Sequence, residues 1–423
     1  FMSAAAGDAL TSSVVNQDGI VRAGSVNGRT GTIRMTAGEV RLGAGSRTDA
    51  GGASGGQIEI GGGWQGSGAL AHARNVSIAQ GAEVHADAQT GGGTGGTVAV
   101  WSDGRTDFRG AISARGKGTG AGGKIETSGR SVYITGDVNA SSEHGKAGEW
   151  LIDPGNLVVR NLTGSETETD SLTDAQRVSS TLSGGTSVTV QTAGGDNGAN
   201  DYSLTVQDNI TKTSGGDATL TLKATGSIAL NADITSAAGK LNLDITSDTN
   251  HLGGGNFSIA NGKQLKTFGG DLKIRGGVVE NDIGFANSPN MGTSGVDIGS
   301  AVIDTRDGGG TGGTVEMAGS TTTADAGVKL SGTQIQTGTG KVTIIGKSGS
   351  GKGISIDGGS NITTRTVELR TDSLDLQGTI TGDADPTGSA KIWTLSDGKT
   401  INFGAGSGGL DLAGNTFSSA GKI

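Results

Sequence analysis

The chain has 423 residues, a formal net charge of only −9 and scattered basic residues. It therefore lacks the clustered positive charge that nucleic-acid binding requires. The absence of cysteine excludes disulfides, thiol nucleophiles and thiolate metal sites. With 83 glycines, 3 prolines and 3% aromatic residues, the composition also excludes collagen and a thick globular core, and it favours an elongated solenoid whose coils each need only a thin core.

Residues 1–159 repeat one unit, in which a glycine-rich turn leads into a short strand and later into a Gly-x-[Val/Ile]-x-Ala segment. The predicted strands after the turns are Gln57–Ile60, Thr97–Val100 and Lys124–Thr127. In the closing segments, Val84 and Ile112 are 28 positions apart, and Ile112 and Val138 are 26 apart. A period in the twenties with internal alternation of apolar residues predicts stacked β-coils with turns of variable length.

The repeat favours a right-handed parallel β-helix, so the predicted fold class is all-β with one short helical excursion. A β-sandwich needs hairpins with tight turns between paired strands, whereas these strands are short and return once per repeat. In stacked coils each backbone N–H and C=O pairs with the coil above or below. Glycine is then expected at corners that need a positive φ.

The stretch Gly145–Val159 is predicted to be a seam between two similar β-helix segments. Its central residues are Trp150, Leu151, Ile152, Asp153 and Pro154. We expect Trp150 and Ile152 to point into the core or under the helical excursion. Pro154 fixes φ at the following turn, and Asp153 is expected to hold that turn by accepting backbone N–H bonds.

Residues 160–187 are predicted to leave the repeat as a polar loop and one short amphipathic helix. The apolar residues at helical spacing are Leu172, Ala175, Val178 and Leu182. This spacing predicts a helix over 172–183, with Thr173 as the N-cap and the glycine pair at Gly184 as the stop. The apolar face of the helix is expected to pack near Trp150.

Residues 188–423 are predicted to form the second β-helix segment. The residues expected to form inward ladders one coil apart are Leu220, Leu222, Leu241 and Leu243. The pattern loosens between about 246 and 300, around His251 and Pro289, and then recovers.

Two patterns that resemble ligand sites are interpreted as structural. Gly346–Gly353 resembles a phosphate-binding loop, but Gly353 stands where that motif needs Ser or Thr, and a strand follows instead of a helix, so we predict a turn between coils. The histidines at positions 72, 85, 144 and 251 have no second ligand three or four residues away. They are predicted to be loop residues facing solvent, and neither a metal nor a cofactor is expected.

Acidic pairs are the candidates for an alternative, catalytic interpretation, because glycosidases use two carboxylates as acid and base. The pairs are Asp103/Asp107, Asp196/Asp201 and Asp383/Asp385. All lie in glycine-rich turn contexts where Asp is common, and none has a cluster of His, Arg or Lys, so no enzymatic activity is expected. Trp101 and Asp103 are also candidate glycan contacts, although the aliphatic strand around Trp101 favours packing against the core.

The seam Gly148-Glu-Trp-Leu-Ile-Asp-Pro-Gly-Asn-Leu-Val-Val159, preceded by units such as Gly92–Asp103, resembles the filamentous-haemagglutinin-like exoproteins of bacterial two-partner secretion. The similarity is most specific over about residues 90–245. It implies a secreted or cell-surface adhesin, exported through an outer-membrane transporter partner. The amino-terminal secretion domain of that family, with its Asn-Pro-Asn motifs, is not recognisable. The chain is therefore interpreted as an internal fragment.

The leading functional interpretation is the structural shaft of such an adhesin, mediating attachment, aggregation or biofilm formation. The expected partners are glycans or proteins on host or neighbouring cells, and self-association into fibres through open coil ends is a further expectation. Two alternatives stay open. One is a β-helix polysaccharide hydrolase or lyase. The other is the stalk of a contact-dependent toxin or haem-scavenging exoprotein, which would look the same over these residues.

Overall fold

The computed structural model describes residues 2–3, 13–25, 28–163, 166, 171–193, 201–280, 282–288, 290–382, 389–397, 401–402 and 410–411. The chain is 51% strand and 3% helix, and its strands form a parallel β-helix. The fold class predicted from the sequence is confirmed. The chain divides into two compact units. The first unit consists of Phe1–Gly198 and Lys212–Thr221, and the second unit consists of Ala199–Thr211 and Leu222–Ile423. The three-part division at residues 160 and 188 stays a prediction.

The strands of the first unit are mostly three to five residues long. They are β1 (Met2–Ser3), β2 (Val14–Gln17), β3 (Ile20–Arg22), β4 (Thr32–Thr36), β5 (Glu39–Leu42), β6 (Arg47–Asp49), β7 (Gln57–Ile60), β8 (Asn75–Ile78), β9 (Glu83–His85), β10 (Thr97–Phe108), β11 (Ala111–Ser113), β12 (Lys124–Ile134), β13 (Asp137–Asn139), β14 (Glu149–Ile152), β15 (Leu157–Arg160), β16 (Ser171–Asp174) and β17 (Ser187–Thr192). A 3-10 turn spans Trp64–Gly66.

The remaining strands follow the same parallel plan, with one antiparallel hairpin, β27–β28. They are β18 (Leu204–Val206), β19 (Ile210–Lys212), β20 (Ala218–Ala224), β21 (Ile228–Leu230), β22 (Ile234–Ser236), β23 (Leu241–Ser247), β24 (Phe257–Ile259), β25 (Gln264–Lys266), β26 (Leu272–Gly276), β27 (Val278–Glu280), β28 (Ile283–Ser288), β29 (Val296–Ile298), β30 (Val302–Asp304), β31 (Val315–Thr321), β32 (Val328–Leu330), β33 (Gln334–Ser348), β34 (Ile354–Ile356), β35 (Asn361–Thr371), β36 (Leu374–Leu376), β37 (Thr379–Gly382), β38 (Ser389–Trp393), β39 (Ile401–Asn402) and β40 (Leu410–Asp411).

The coils from β2 to β13 contribute strands to three faces. One face stacks β4, β7, β10, β12, β14 and β17. A second stacks β2, β5 and β8 with the later half of β10. The third is the five-stranded sheet β3, β6, β9, β11 and β13. The long strands β10 and β12 each turn from the first face to the second within one strand.

The closing segments form the third face with the spacing that the sequence predicts. Ile112 pairs with Val84 on the coil before it and with Val138 on the coil after it. All three side chains are buried. Burying an aliphatic side chain of this size contributes about 1.5–3 kcal/mol, so a ladder of such residues stabilises each coil despite the small number of apolar residues.

The glycines serve close packing of coils as well as turns. Gly92 has the expected positive φ of 81° at a corner. In contrast, a Cβ on Gly96 would lie 2.1 Å from the carbonyl oxygen of Gly56, and a Cβ on Gly123 would lie 2.1 Å from that of Gly96. Successive coils approach too closely here for any side chain. The expectation that glycine marks positive-φ corners therefore accounts for only part of the glycine content.

The single helix of the described residues, α1 (Ala175–Ser183), begins later than the sequence predicts. Leu172 and Thr173 belong to β16 and pair with β12, so their backbone groups are already committed to a sheet. Asp174 is the N-cap instead of Thr173, and its Oδ1 accepts the amide N–H of Gln176 at 2.9 Å. The predicted end of the helix, before Gly184, is confirmed.

Candidate functional site

The seam places its tryptophan in the core of the first unit. Trp150 lies on β14 between Ile125 on β12 and Val188 on β17, and it is fully buried. Its indole N–H donates to Thr127 Oγ1 at 2.9 Å, which satisfies the one polar atom of the ring. Ile152 is also fully buried. The expected inward orientation of both residues is confirmed.

Asp153 joins the seam to the next coil through its side chain. Asp153 Oδ1 accepts the backbone N–H of Ala193 at 3.0 Å, and Oδ2 accepts Gln191 Nε2 at 2.6 Å. The predicted acceptor role for a backbone N–H is therefore present, but this donor lies one coil later and not in the adjacent turn. Pro154 and Leu151 are buried. The seam thus works as a coil-to-coil connection.

Helix α1 lies against β13, β15, β16 and β17. Thr181 Oγ1 donates to the carbonyl oxygen of Val138 at 3.3 Å, and Arg177 forms an ion pair of 2.5 Å with Asp137. Val178 and Leu182 are fully buried. The apolar face of the helix therefore covers a side of the first unit, as its amphipathic pattern indicates.

Trp101, the aromatic candidate for a glycan contact, lies on β10 beneath the segment 61–73 of an earlier coil. A Cβ on Gly62 would lie 2.9 Å from its ring, and one on Gly66 would lie 2.7 Å from it. The ring of His72 contacts the indole in a tilted arrangement, with 4.4 Å between centroids and 54° between the ring planes. Trp101 is therefore half-buried, and glycines are needed where the segment crosses it.

Asp103 is the exposed member of the pair, and its Oδ1 lies 3.2 Å from His72 Nδ1. The segment 61–73 thus holds an imidazole between the indole and this carboxylate. Glycan contact by Trp101 and Asp103 stays a prediction. In this arrangement the carboxylate of Asp103 is more accessible to a saccharide than the indole ring of Trp101.

Glu126 is a buried acid that sequence reasoning does not find. Glu126 is the register partner of Ala99 on the first face, at a position that alternates with the inward residues. Its side chain is nevertheless fully buried. Oε2 accepts the backbone N–H of Gln65 at 2.7 Å, whereas Oε1 has no partner among the described residues. Burial raises the pKa of Glu126 to about 7. Gln65 itself has a positive φ of 53°.

The acidic pairs do not form a described catalytic centre. Both oxygens of Asp107 accept hydrogen bonds from Arg109, at 2.7 and 3.0 Å. Asp201 Oδ1 accepts Asn250 Nδ2 at 2.8 Å. The other three members, at positions 196, 383 and 385, lie outside the described residues.

The prediction that the histidines are loop residues facing solvent is wrong for His85. This residue lies on strand β9 and is only 19% exposed at its side chain, with Glu83 and Asp87 at 3.0 and 3.9 Å from its ring nitrogens. Alternation along β9 places it on the outer face, where neighbouring coils flank it. Within the described part of the chain, no group of three acidic, histidine or cysteine side chains is placed to hold a metal ion.

The segment Gly346–Gly353 connects two strands, as predicted. Its first residues end β33, and β34 begins directly after it. Lys347 pairs with Glu280 on the hairpin strand β27. Pro289 lies outside the described residues. Among the helices of the described chain, none has the length and hydropathy needed to span a membrane.

Comparisons with known proteins give no assignment: no protein-family model matches the chain, and no curated protein matches it.

Proposed function

We propose that this chain is a structural segment of the shaft of a secreted or surface-exposed adhesin, which attaches to glycans or proteins on other cells. Its expected partners in assembly are an outer-membrane transporter during secretion and other copies of the chain in fibres. The proposal rests on the sequence resemblance and on the repetitive parallel coils. A shaft needs length and a repeated surface more than any single pocket.

The observation that best supports a shaft is the repetition of coil-to-coil ion pairs on the outer faces. Arg34 and Glu59, on β4 and β7, are 2.6 Å apart, and Arg115 and Asp87 are 2.8 Å apart in successive coils. In the second unit, Lys341 on β33 pairs with Glu368 on β35. Each exposed pair contributes at most about 1 kcal/mol, yet the pattern keeps the surface polar and the coils aligned over many repeats.

The main alternative, a β-helix polysaccharide hydrolase or lyase, is favoured by one observation, the exposed carboxylate of Asp103 beside His72. A stalk of a toxin or of a haem-scavenging exoprotein is equally compatible with the coils. The enzyme alternative predicts that the chain cleaves polysaccharides, which can be measured in solution.

The test is to incubate the purified chain with pectin, alginate and host glycans and to measure released reducing and unsaturated ends. The adhesin proposal predicts no release above buffer, together with weak retention of the chain on the same polysaccharides when they are immobilised. Asp103→Asn and Asp107→Asn serve as paired variants. Release that Asp103→Asn abolishes would overturn the proposal in favour of an enzyme.

A further inference from the structure

The second unit contains a cleft of about 300 Å³ that the adhesin interpretation does not use. We call it the hairpin cleft, because the antiparallel hairpin β27–β28 forms one wall. Its floor and opposite walls are side chains on the outer face of β26, β31, β33 and β35. The lining residues are Arg275, Asp282, Ile283, Gly284, Glu316, Lys341, Thr343, Ile345, Glu368 and Arg370.

The hairpin is anchored on the outer face by apolar contacts. Phe285 on β28 packs against Ala318 on β31 and Ile345 on β33, with Ile283 and Leu395 at the edge of this cluster. Phe285 and Ile345 are buried although they lie outside the core of the coil. This anchor fixes the wall of the cleft. The hairpin turn includes Asp282, whose φ is positive at 64°.

The charges in the hairpin cleft are balanced except at two positions. Arg275 lies 3.1 Å from Glu316, and Lys341 pairs with Glu368. The side chain of Arg370, on β35, has no ion pair or hydrogen bond with any described residue, and neither has the side chain of Asp282. One guanidinium and one carboxylate are therefore available to a ligand.

An exposed indole adjoins the guanidinium. Trp393 on β38 is the register partner of Arg370, so the two side chains are neighbours on the same face of the sheet. Trp393 is 52% exposed, more than the other tryptophans that the structure describes. An aromatic face stacks on the C–H groups of a sugar ring, and Arg binds a carboxylate through two parallel N–H···O bonds.

We propose that the hairpin cleft binds a carboxylate-bearing sugar residue of a surface polysaccharide, with Arg370 contacting the carboxylate and Trp393 stacking on the ring. The hydroxyl of Thr343 and the carboxylate of Asp282 match the sugar hydroxyls, which both donate and accept hydrogen bonds. An apolar ligand would instead desolvate these polar groups without replacing their partners. This inference deepens the proposed function, since it names the class of glycan that the adhesin would recognise.

The test is calorimetric titration of the purified chain with a short oligogalacturonide and with its methyl ester, which removes only the charge. The proposal predicts that the acid binds at least about tenfold more tightly than the ester. Arg370→Gln should reduce the affinity for the acid to that for the ester, and Trp393→Ala should weaken binding of both. The matched control is Lys329→Gln, which removes a positive charge from β32 on another face and should leave binding unchanged.

Folding is checked by the thermal unfolding midpoint of each variant, which should stay at the wild-type value. Equal affinity for acid and ester, unchanged binding by Arg370→Gln, or no binding of the oligogalacturonide at millimolar concentration would each overturn the proposal. Displacement of the bound sugar by poly-glutamate with equal potency would also contradict it, because the cleft would then recognise carboxylates without a sugar. Attachment of the chain to whole cell surfaces is a separate measurement. A negative result for the hairpin cleft therefore contradicts the proposed sugar site without contradicting the adhesin proposal.

Discussion

At the scale of single residues, the clearest departure from the repeat is Glu126. Its position alternates with inward residues on β12, so sequence pattern alone indicates a partly exposed side chain like that of Glu59 two coils earlier. The 3-10 turn at Trp64–Gly66 covers it instead, and Gln65 donates to it. No local sequence signal marks this burial, because the covering residues lie about 60 positions away along the chain.

The raised pKa of Glu126 makes stability depend on pH in a direction opposite to that of most acids. Its folded-state pKa of about 7 lies above the ordinary 4.5, so the folded protein binds the proton more tightly than the unfolded chain. The stabilisation is complete below about pH 4.5 and is lost as the pH rises to about 7, by about 3 kcal/mol in total. Asp153 adds a smaller unfavourable charge interaction in the same direction.

We therefore expect Glu126→Gln, which stays neutral at every pH, to remove this part of the pH dependence. The free energy of unfolding, measured by urea denaturation at pH 5 and pH 8, should fall less between the two values in the variant than in the wild type. Glu59→Gln, on the same face, is the control and should keep the wild-type difference. An identical pH dependence in Glu126→Gln and wild type would show that Glu126 is not a buried neutral acid.

At the scale of elements, the sequence predicts what repeats and misses what breaks the repeat. The spacing of Val84, Ile112 and Val138 predicts their register correctly, because each coil must place one apolar residue at the same inward position. The beginning of α1 is mispredicted because Leu172 suits a helix face and a strand equally well, and only its pairing with distant β12 decides between them. The β27–β28 hairpin is likewise held by distant contacts, because Phe285 on β28 packs against Ala318 on β31 and Ile345 on β33.

Strand β20 offers a direct test of inward and outward alternation. Leu222 is fully buried, and Thr221 beside it is partly exposed. Leu222→Asp places an unpaired charge in the core, which costs several kcal/mol, so we expect loss of cooperative unfolding and of strand signal in circular dichroism. Thr221→Asp, with the same new charge on the outer side, should change the thermal midpoint little. Equal damage from both substitutions would contradict the alternation.

At the scale of the whole molecule, thin ladders of apolar side chains lie beneath a polar outer surface. The candidate sites are small relative to that surface: one covered indole beside Asp103, and one cleft beside Arg370. The sequence predicts Trp101 and Asp103 as candidate contacts, but neither the segment 61–73 that covers the indole nor the hairpin cleft could be predicted, because both depend on segments that cross coils. A chain that attaches through such small sites gains strength from many copies acting together.

Attachment through many weak contacts can be measured as the retention of beads on a glycan-bearing cell layer under flow, at graded surface densities of the chain. We expect retention to rise more steeply than in proportion to density, because many weak contacts act together. The free chain in solution should compete poorly with the beads. Retention proportional to density, with equally strong binding of the free chain, would contradict the account and indicate a single high-affinity site.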